Sequence, residues 1–182
     1  MEFGKQLFED YFSKRIDKET LIAKLGVNEE NFHIMLCEEM EKNMCQQDPV
    51  MAEYLMYALV IWFWDENNIG KRPVNYFLKL LNELVVCDWH KQHEDIVDML
   101  QRISDESSIE PLYQTMYLKL QYLEWDDNYS LQKRCTRAIA GIGGEKAIGH
   151  LEWLKQEDNV IIRELAERKW KQLMQKPEEQ YK

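Results

Sequence analysis

RCTRAIAGIGGEKAIGHLEWL, residues 134–154, decides the fold. Ala138, Ile139 and Ala140 end an apolar run at helical spacing, glycines follow at Gly141, Gly143 and Gly144, and a second run opens at once with Ala147 and Ile148. The glycine cluster is either a phosphate-cradling loop or the corner of a helical hairpin. A phosphate loop needs a strand before it and a Lys-Ser or Lys-Thr pair after it, and a dinucleotide loop also follows a strand. Neither condition is met, so the stretch reads as a corner. Gly141 or Gly143 supplies the left-handed residue that ends the first helix, and Gly144 lets the two helices close tightly.

Helix signals extend outward from this corner in both directions, and strand signals are nearly absent. Asp48-Pro49 is an N-cap followed by proline at the first helical position, which predicts a helix through Trp64. By the same reasoning Asp88 opens a helix to Ile103, Ser108 one to Leu123, Asn128 or Asp127 one to Ala140, and Asn159 one to Met174. Asn28, followed by Glu29 and Glu30, opens one over 29–45.

These helices repeat. Shifted by 39 positions, Met99, Leu100, Ile103, Ile109 and Leu112 fall on Ala138, Ile139, Ile142, Ile148 and Leu151, and Asp88 falls on Asp127. The pattern also fits Ala58, Leu59 and Trp62, continuing at Val74 and Phe77 after an insertion around Asn67–Arg72. One helical hairpin cannot bury its apolar face alone, so such units stack on their neighbours. LQKRCTRAIAGIGGEKAIGHLEWLKQEDNVIIRELAERKW, residues 131–170, resembles a HEAT-type repeat of the short bacterial kind. Its marks are an Arg-rich first helix ending in Ala-x-x-x-Ile-Gly, a tight corner, a second helix opening with a small residue and Ile, and an acidic turn. The unit upstream keeps the apolar skeleton but has Ser104-Asp105-Glu106-Ser107-Ser108 in place of the glycine corner. The expected fold is all-α, a short α-α superhelix (a HEAT-like solenoid) with an N-terminal helical cap. It forms a single domain over 1–182, with the cap at 1–47, hairpins at 48–174 and a tail at 175–182.

Composition agrees with a folded, helix-rich chain: 45% hydrophobic residues, with only seven glycines and four prolines in 182. The N-terminus, acidic and without a long apolar run, reads as neither a secretory signal nor a transit peptide, and the apolar stretch Tyr54–Trp64 is too short to span a bilayer. A cytoplasmic location is expected. Cys37, Cys45, Cys87 and Cys135 have no metal-site spacing and read as reduced core residues. The net charge of -10 divides as -4 over 1–47, -9 over 48–130 and +3 over 131–182. Such a central surface repels nucleic acid and anionic lipid and attracts a basic protein.

Catalytic signatures are weak. His90 and His93, beside Glu94 and Asp95, have the spacing of two metal ligands but no HExxH-type context, and read instead as exposed residues on a polar turn. His33 and His150, each near apolar neighbours, read as packing residues. No G-x-S-x-G elbow occurs. The basic residues near the C-terminus, Arg134, Arg137, Glu-flanked Arg168 and Lys171 among them, read as solvated helix faces. Carboxylates instead gather at helix ends. On a hairpin solenoid Asp65, Glu66, Asp105 and Glu106 would form one edge, and Asp126, Asp127, Glu157 and Asp158 another. Tyr113 and Tyr117 lie between these rows, with Trp125, Trp89 and Trp153 as further anchors and Glu124 beside them.

The chain is therefore expected to be a non-catalytic protein-binding module without cofactor or metal. Its partner residues are Asp65, Glu66, Asp105, Glu106, Tyr113, Tyr117, Glu124, Trp125, Asp126 and Asp127. In size, charge and architecture it resembles the small acidic cytoplasmic immunity proteins of bacterial toxin systems, which implies a basic toxin domain as partner. The alternatives are a HEAT-like lyase or DNA glycosylase, and a structural adaptor in a larger assembly.

Overall fold

A computed structural model describes residues 2–65 and 74–175, and no strand occurs among them. The insertion around Asn67–Arg72, Glu66 and the tail from 176 lie outside the described residues. The chain packs as two compact units, Met1–Pro73 with Trp89–Gln92, and Val74–Asp88 with His93–Lys182.

The first unit contains α1 (Glu2–Phe12), α2 (Lys18–Leu25), α3 (Phe32–Gln46) and α4 (Pro49–Trp64). The α4 cap forms as the sequence dictates: the Asp48 carboxylate accepts from the amides of Val50 and Met51 at 3.0 and 3.2 Å. Lys5 lies 3.1 Å from the same carboxylate and, by bonding to it, holds it below the usual range. The core of this unit is Leu7, Phe8, Leu21, Leu36, Met40, Leu55, Met56, Leu59 and Phe63, and the His33 ring stacks on Trp62 at 4.2 Å. At 16 residues, α4 has only one charged side chain, yet no helix among the described residues is long and apolar enough to cross a membrane.

Two sequence expectations change here. α3 begins at Phe32 rather than residue 29, because the Asn28 side chain accepts from the Asn31 amide and closes a separate turn ahead of the helix. Cys37 is buried but Cys45 is exposed, so the cysteines do not share one environment; Cys135 is buried and Cys87 only partly.

The second unit contains α5 (Val74–Leu84), α6 (His93–Ile103), a 3-10 turn (Glu106–Ser108), α7 (Ile109–Thr115), a second 3-10 turn (Gln121–Leu123), α8 (Ser130–Ile142), α9 (Gly144–Leu154) and α10 (Val160–Met174). α8 is its centre, packing against α6, α7, α9 and α10 with Leu131, Cys135, Ala138 and Ile139 buried. Arg134 of α8 reaches back to Glu94 at 3.3 Å and Asp98 at 2.7 Å on α6, so this arginine links two helices rather than facing only water. The burial follows the 39-residue shift at four of the five pairs: Met99, Leu100 and Leu112 are buried like Ala138, Ile139 and Leu151, and Ile103 and Ile142 are both half-buried, whereas Ile109 is buried and Ile148 only half-buried.

The corner resolves onto particular glycines. Gly143 has φ 76° and ψ -163°, a region open essentially to glycine alone, and Gly144 follows at φ 81°. The tight closure expected at Gly144 is not found, and Gly141 has no more than ordinary contact room. A Cβ at Gly141 would meet the Gln101 side chain at 3.4 Å, whereas one at Gly144 would meet nothing within 4 Å. In the unit upstream, Ser104 takes the equivalent place, 39 residues earlier, at φ 59°.

Three further helix starts or ends differ from the sequence reading. α6 starts at His93, not after Asp88, because Trp89–Gln92 folds into a local turn in which the His90 ring nitrogen accepts from the Gln92 amide. The helix from Ser108 ends at Thr115 instead of Leu123; beyond it Leu118, Lys119 and Leu120 carry no helix, the two leucines on either side of an exposed lysine at a period of two, before the 3-10 turn at Gln121–Leu123. Neither Asp127 nor Asn128 caps α8: Asp126 accepts from the amides of Asn128 and Ser130 at 3.1 and 2.6 Å, and Tyr129 takes φ 53°. Asn159 caps α10 as expected, accepting from Ile161 and Ile162.

Gly143→Ala should lower the unfolding free energy by about 1–3 kcal/mol, while Gly141→Ala, confronting only the end of a flexible side chain, should leave it unchanged or raise it. Urea melts of both variants compare the two effects. Conversely, Ser104→Gly should raise stability by about 0.5–1 kcal/mol by relieving a left-handed non-glycine residue; a lowered urea midpoint would show that the serine contributes more than its strain costs.

Candidate functional site: an aromatic and acidic face on α7 and α9

On α7, Ile109, Leu112 and Thr115 are buried, which turns Glu110, Tyr113 and Gln114 to the opposite side. On α9, Ala147, Leu151 and Leu154 are buried, leaving Glu152 and Trp153 outward. The segments 106–117 and 146–157 meet through four contacts at one sequence offset, of which Glu110–His150 and Tyr113–Trp153 join α7 to α9 and the other two flank the helices. Glu106 pairs with Lys146 at 3.5 Å, and Glu110 Oε2 lies 3.0 Å from His150 Nε2. The Tyr113 and Trp153 ring centroids are 6.1 Å apart, and the Tyr117 hydroxyl donates to the Glu157 carboxylate. Each pair is 40 residues apart, and the spacings between successive pairs are four, three and four residues. That is the pattern of two helical faces running in the same direction.

The rings form one connected patch. Tyr113 stands edge-on to Tyr117 at 5.2 Å and to His150 at 5.0 Å, and His150 stands edge-on to Trp153 at 4.9 Å. Trp153 is 57% exposed and Tyr117 51%, while His150 is buried beneath them. The His150 Nδ1 lies 2.8 Å from the Lys146 carbonyl, so each ring nitrogen meets an oxygen acceptor and the ring cannot swing out without losing both contacts. With its single proton given to Glu157, the Tyr117 oxygen is left to accept from the Tyr113 hydroxyl, 3.2 Å away. Burial and the bond to Glu157 push the Tyr117 hydroxyl above the usual tyrosine range. The Gln114 amide, 2.9 Å away, and His150 together hold the Glu110 carboxyl below the usual range.

The sequence-derived residues divide between this face and other places. Tyr113 and Tyr117 lie at its centre. Glu106 sits at its α9 N-terminal end, paired with Lys146. Asp105 caps the 3-10 turn, accepting from the Ser107 hydroxyl and amide at 2.7 and 2.9 Å, and these bonds hold its carboxyl low. Asp126 is occupied by the start of α8, and Asp127 is exposed. Asp65 ends α4 in the first unit, and Glu66 lies outside the described residues. Trp125 is 88% exposed. Glu124 beside it lines a cleft of about 490 Å³ formed by Leu118, Lys119, Leu120, Gln121 and Leu123 against Leu131 and Gln132. This cleft exists because the chain leaves helical conformation after Thr115.

Sequence reasoning missed Glu110, and read His150 only as packing. The signal was present in the repeat: a chain whose core repeats at 39 residues brings surface positions about 40 apart into contact. His90 and His93 are not exposed, as expected from their polar turn, but buried, and the His93 ring nitrogens lie 2.8 Å from the Tyr122 hydroxyl and 2.7 Å from the Cys87 carbonyl. Among the described residues no group of three or more His, Cys, Asp or Glu side chains converges as metal ligands would. The chain matches no protein-family model, no curated protein and no solved structure.

The lowered Glu110 carboxyl gives this face an acid limit. A carboxyl whose folded-state pKa lies below its unfolded one contributes stability that is fully present above the unfolded value, about pH 4.3, and is lost as pH falls through the folded value. Glu110→Gln should therefore be less stable than the parent near neutrality, with the gap closing in that acid window. Urea midpoints of both proteins across the acid range measure it.

Proposed function

We propose that this chain is a non-catalytic binding module for a basic protein, built as a short HEAT-like solenoid with an N-terminal helical cap. The constant 40-residue offset between α7 and α9 supports the repeat reading, because stacked hairpins place successive second helices side by side in the same direction. The observation that carries the binding reading is the face itself. Exposed Trp153 and Tyr117 are held by ring contacts to buried His150 and half-buried Tyr113 and flanked by Glu110 and Glu157, neither of which pairs with lysine or arginine among the described residues. Large rings held rigid with a polar tip suit a partner-binding anchor. The overall charge of -10 adds electrostatic steering toward a cationic partner. Within this reading the protein fits an immunity role, in which acidic side chains cover the basic cleft of a cognate toxin in the cytoplasm.

Affinity capture of the tagged protein from its native lysate, at low and moderate salt, tests this. A basic protein should be retained stoichiometrically and depleted as the salt rises. Trp153→Ala should reduce retention about tenfold or more while its circular dichroism stays native. A partner held equally well by Trp153→Ala would overturn the assignment of this face.

A further inference from the structure

We infer that the α7–α9 face recognises a guanidinium, so that the group it takes from a basic partner is an arginine side chain. The inference rests on the binding reading above and names the chemistry of that same surface.

Three features point to arginine. First, the face offers ring surface: Trp153 and Tyr117 are both more than half exposed, and Tyr113, in contact with both, joins them into one platform. A planar, weakly hydrated guanidinium lies flat on such surface, whereas an ammonium keeps its water more tightly. Second, the platform is bounded by carboxylates with acceptor capacity to spare. Glu157 accepts one hydrogen bond from the Tyr117 hydroxyl, and its carboxylate has room for further N–H donors. Glu110 accepts from Gln114 and faces His150 through its two oxygens separately, which aligns it without neutralising it by lysine or arginine.

Third, the nearby cations of this chain are engaged elsewhere. Lys146 pairs with Glu106, Lys155 with Glu152 while lying 3.8 Å over the Trp170 ring, and Arg163 donates to the backbone carbonyls of Glu157 and Asp158. The Lys155–Trp170 pair shows the chain already satisfying one indole with a cation, while the ring contacts of Trp153 are with Tyr113 and His150. The cations beside the face are thus each paired with another group, which leaves the rings and the Glu110 and Glu157 carboxylates to a planar cation from outside.

The probes are two capped hexapeptides, alternating glycine–arginine and alternating glycine–lysine, titrated into the nitrogen-15-labelled full chain at low salt. The Trp153 indole N–H resonance, assigned from Trp153→Phe, reports binding. The arginine peptide should shift this resonance with an apparent affinity about fivefold or more above that of the lysine peptide. Glu157→Gln and Tyr117→Leu should each abolish most of that preference. Glu167→Gln, on α10 and already paired with Lys171, should leave it intact. Equal responses to both peptides, or a preference unchanged by Glu157→Gln and Tyr117→Leu, would overturn the arginine assignment. The titration needs no partner, so an empty affinity column leaves it standing. A failed titration beside Trp153-dependent capture removes only the choice of arginine.

Discussion

A reversal made by one residue holds the second unit in register. Gly143 alone lies between the last residue of α8 and the first of α9, and its backbone conformation is one that a side chain would oppose. A corner this short leaves α9 almost no freedom in position or rotation relative to α8. Arg134 on its two carboxylates and the buried Met99, Leu100, Ala138 and Ile139 then set α8 against α6. With both constraints in place, α9 lies along α7 at a fixed offset, and the rings of Tyr113, His150 and Trp153 meet.

The surface chemistry of α7 and α9 is therefore a consequence of core geometry. Glu110 and His150 are far apart in sequence and belong to different helices, yet their 3.0 Å contact follows from the same offset that joins Tyr117 to Glu157. Burying His150 gives the outer rings a rigid base, which lowers the entropy they would lose on meeting another surface.

How much of this was legible depended on the range of the interaction. The caps at Asp48 and Asn159 were readable because a side chain and the amides it serves lie within three residues of one another. Asn28 and Asp88 carry the same local signal, but Asn28 closes a turn and the chain beyond Asp88 bends at His90; local sequence does not separate a turn from a helix start. The end of α7 at Thr115 was not read, because Leu118, Leu120 and Leu123 continue the apolar content of the helix preceding them and no glycine or proline marks the break. That Tyr113 and Tyr117 share one surface was recognisable from their spacing of four. Their partners on α9 needed the register of one helix on another, which the 39-residue shift supplied only to within a residue, too coarse to pair Glu110 with His150.

The distribution of thiols has a separate consequence. Cys37 is enclosed in the first unit and Cys135 in the second, and burial pushes the Cys37 thiol up to about 12 and the Cys135 thiol higher still than a free cysteine. Thiolate, the reactive form, is thus suppressed at both places until the surrounding helices part. Exposed Cys45 reacts from the folded state and serves as an internal reference. The chain consequently carries a native clock in each half, from which the rate of alkylation at each site distinguishes concerted opening of the molecule from opening one half at a time.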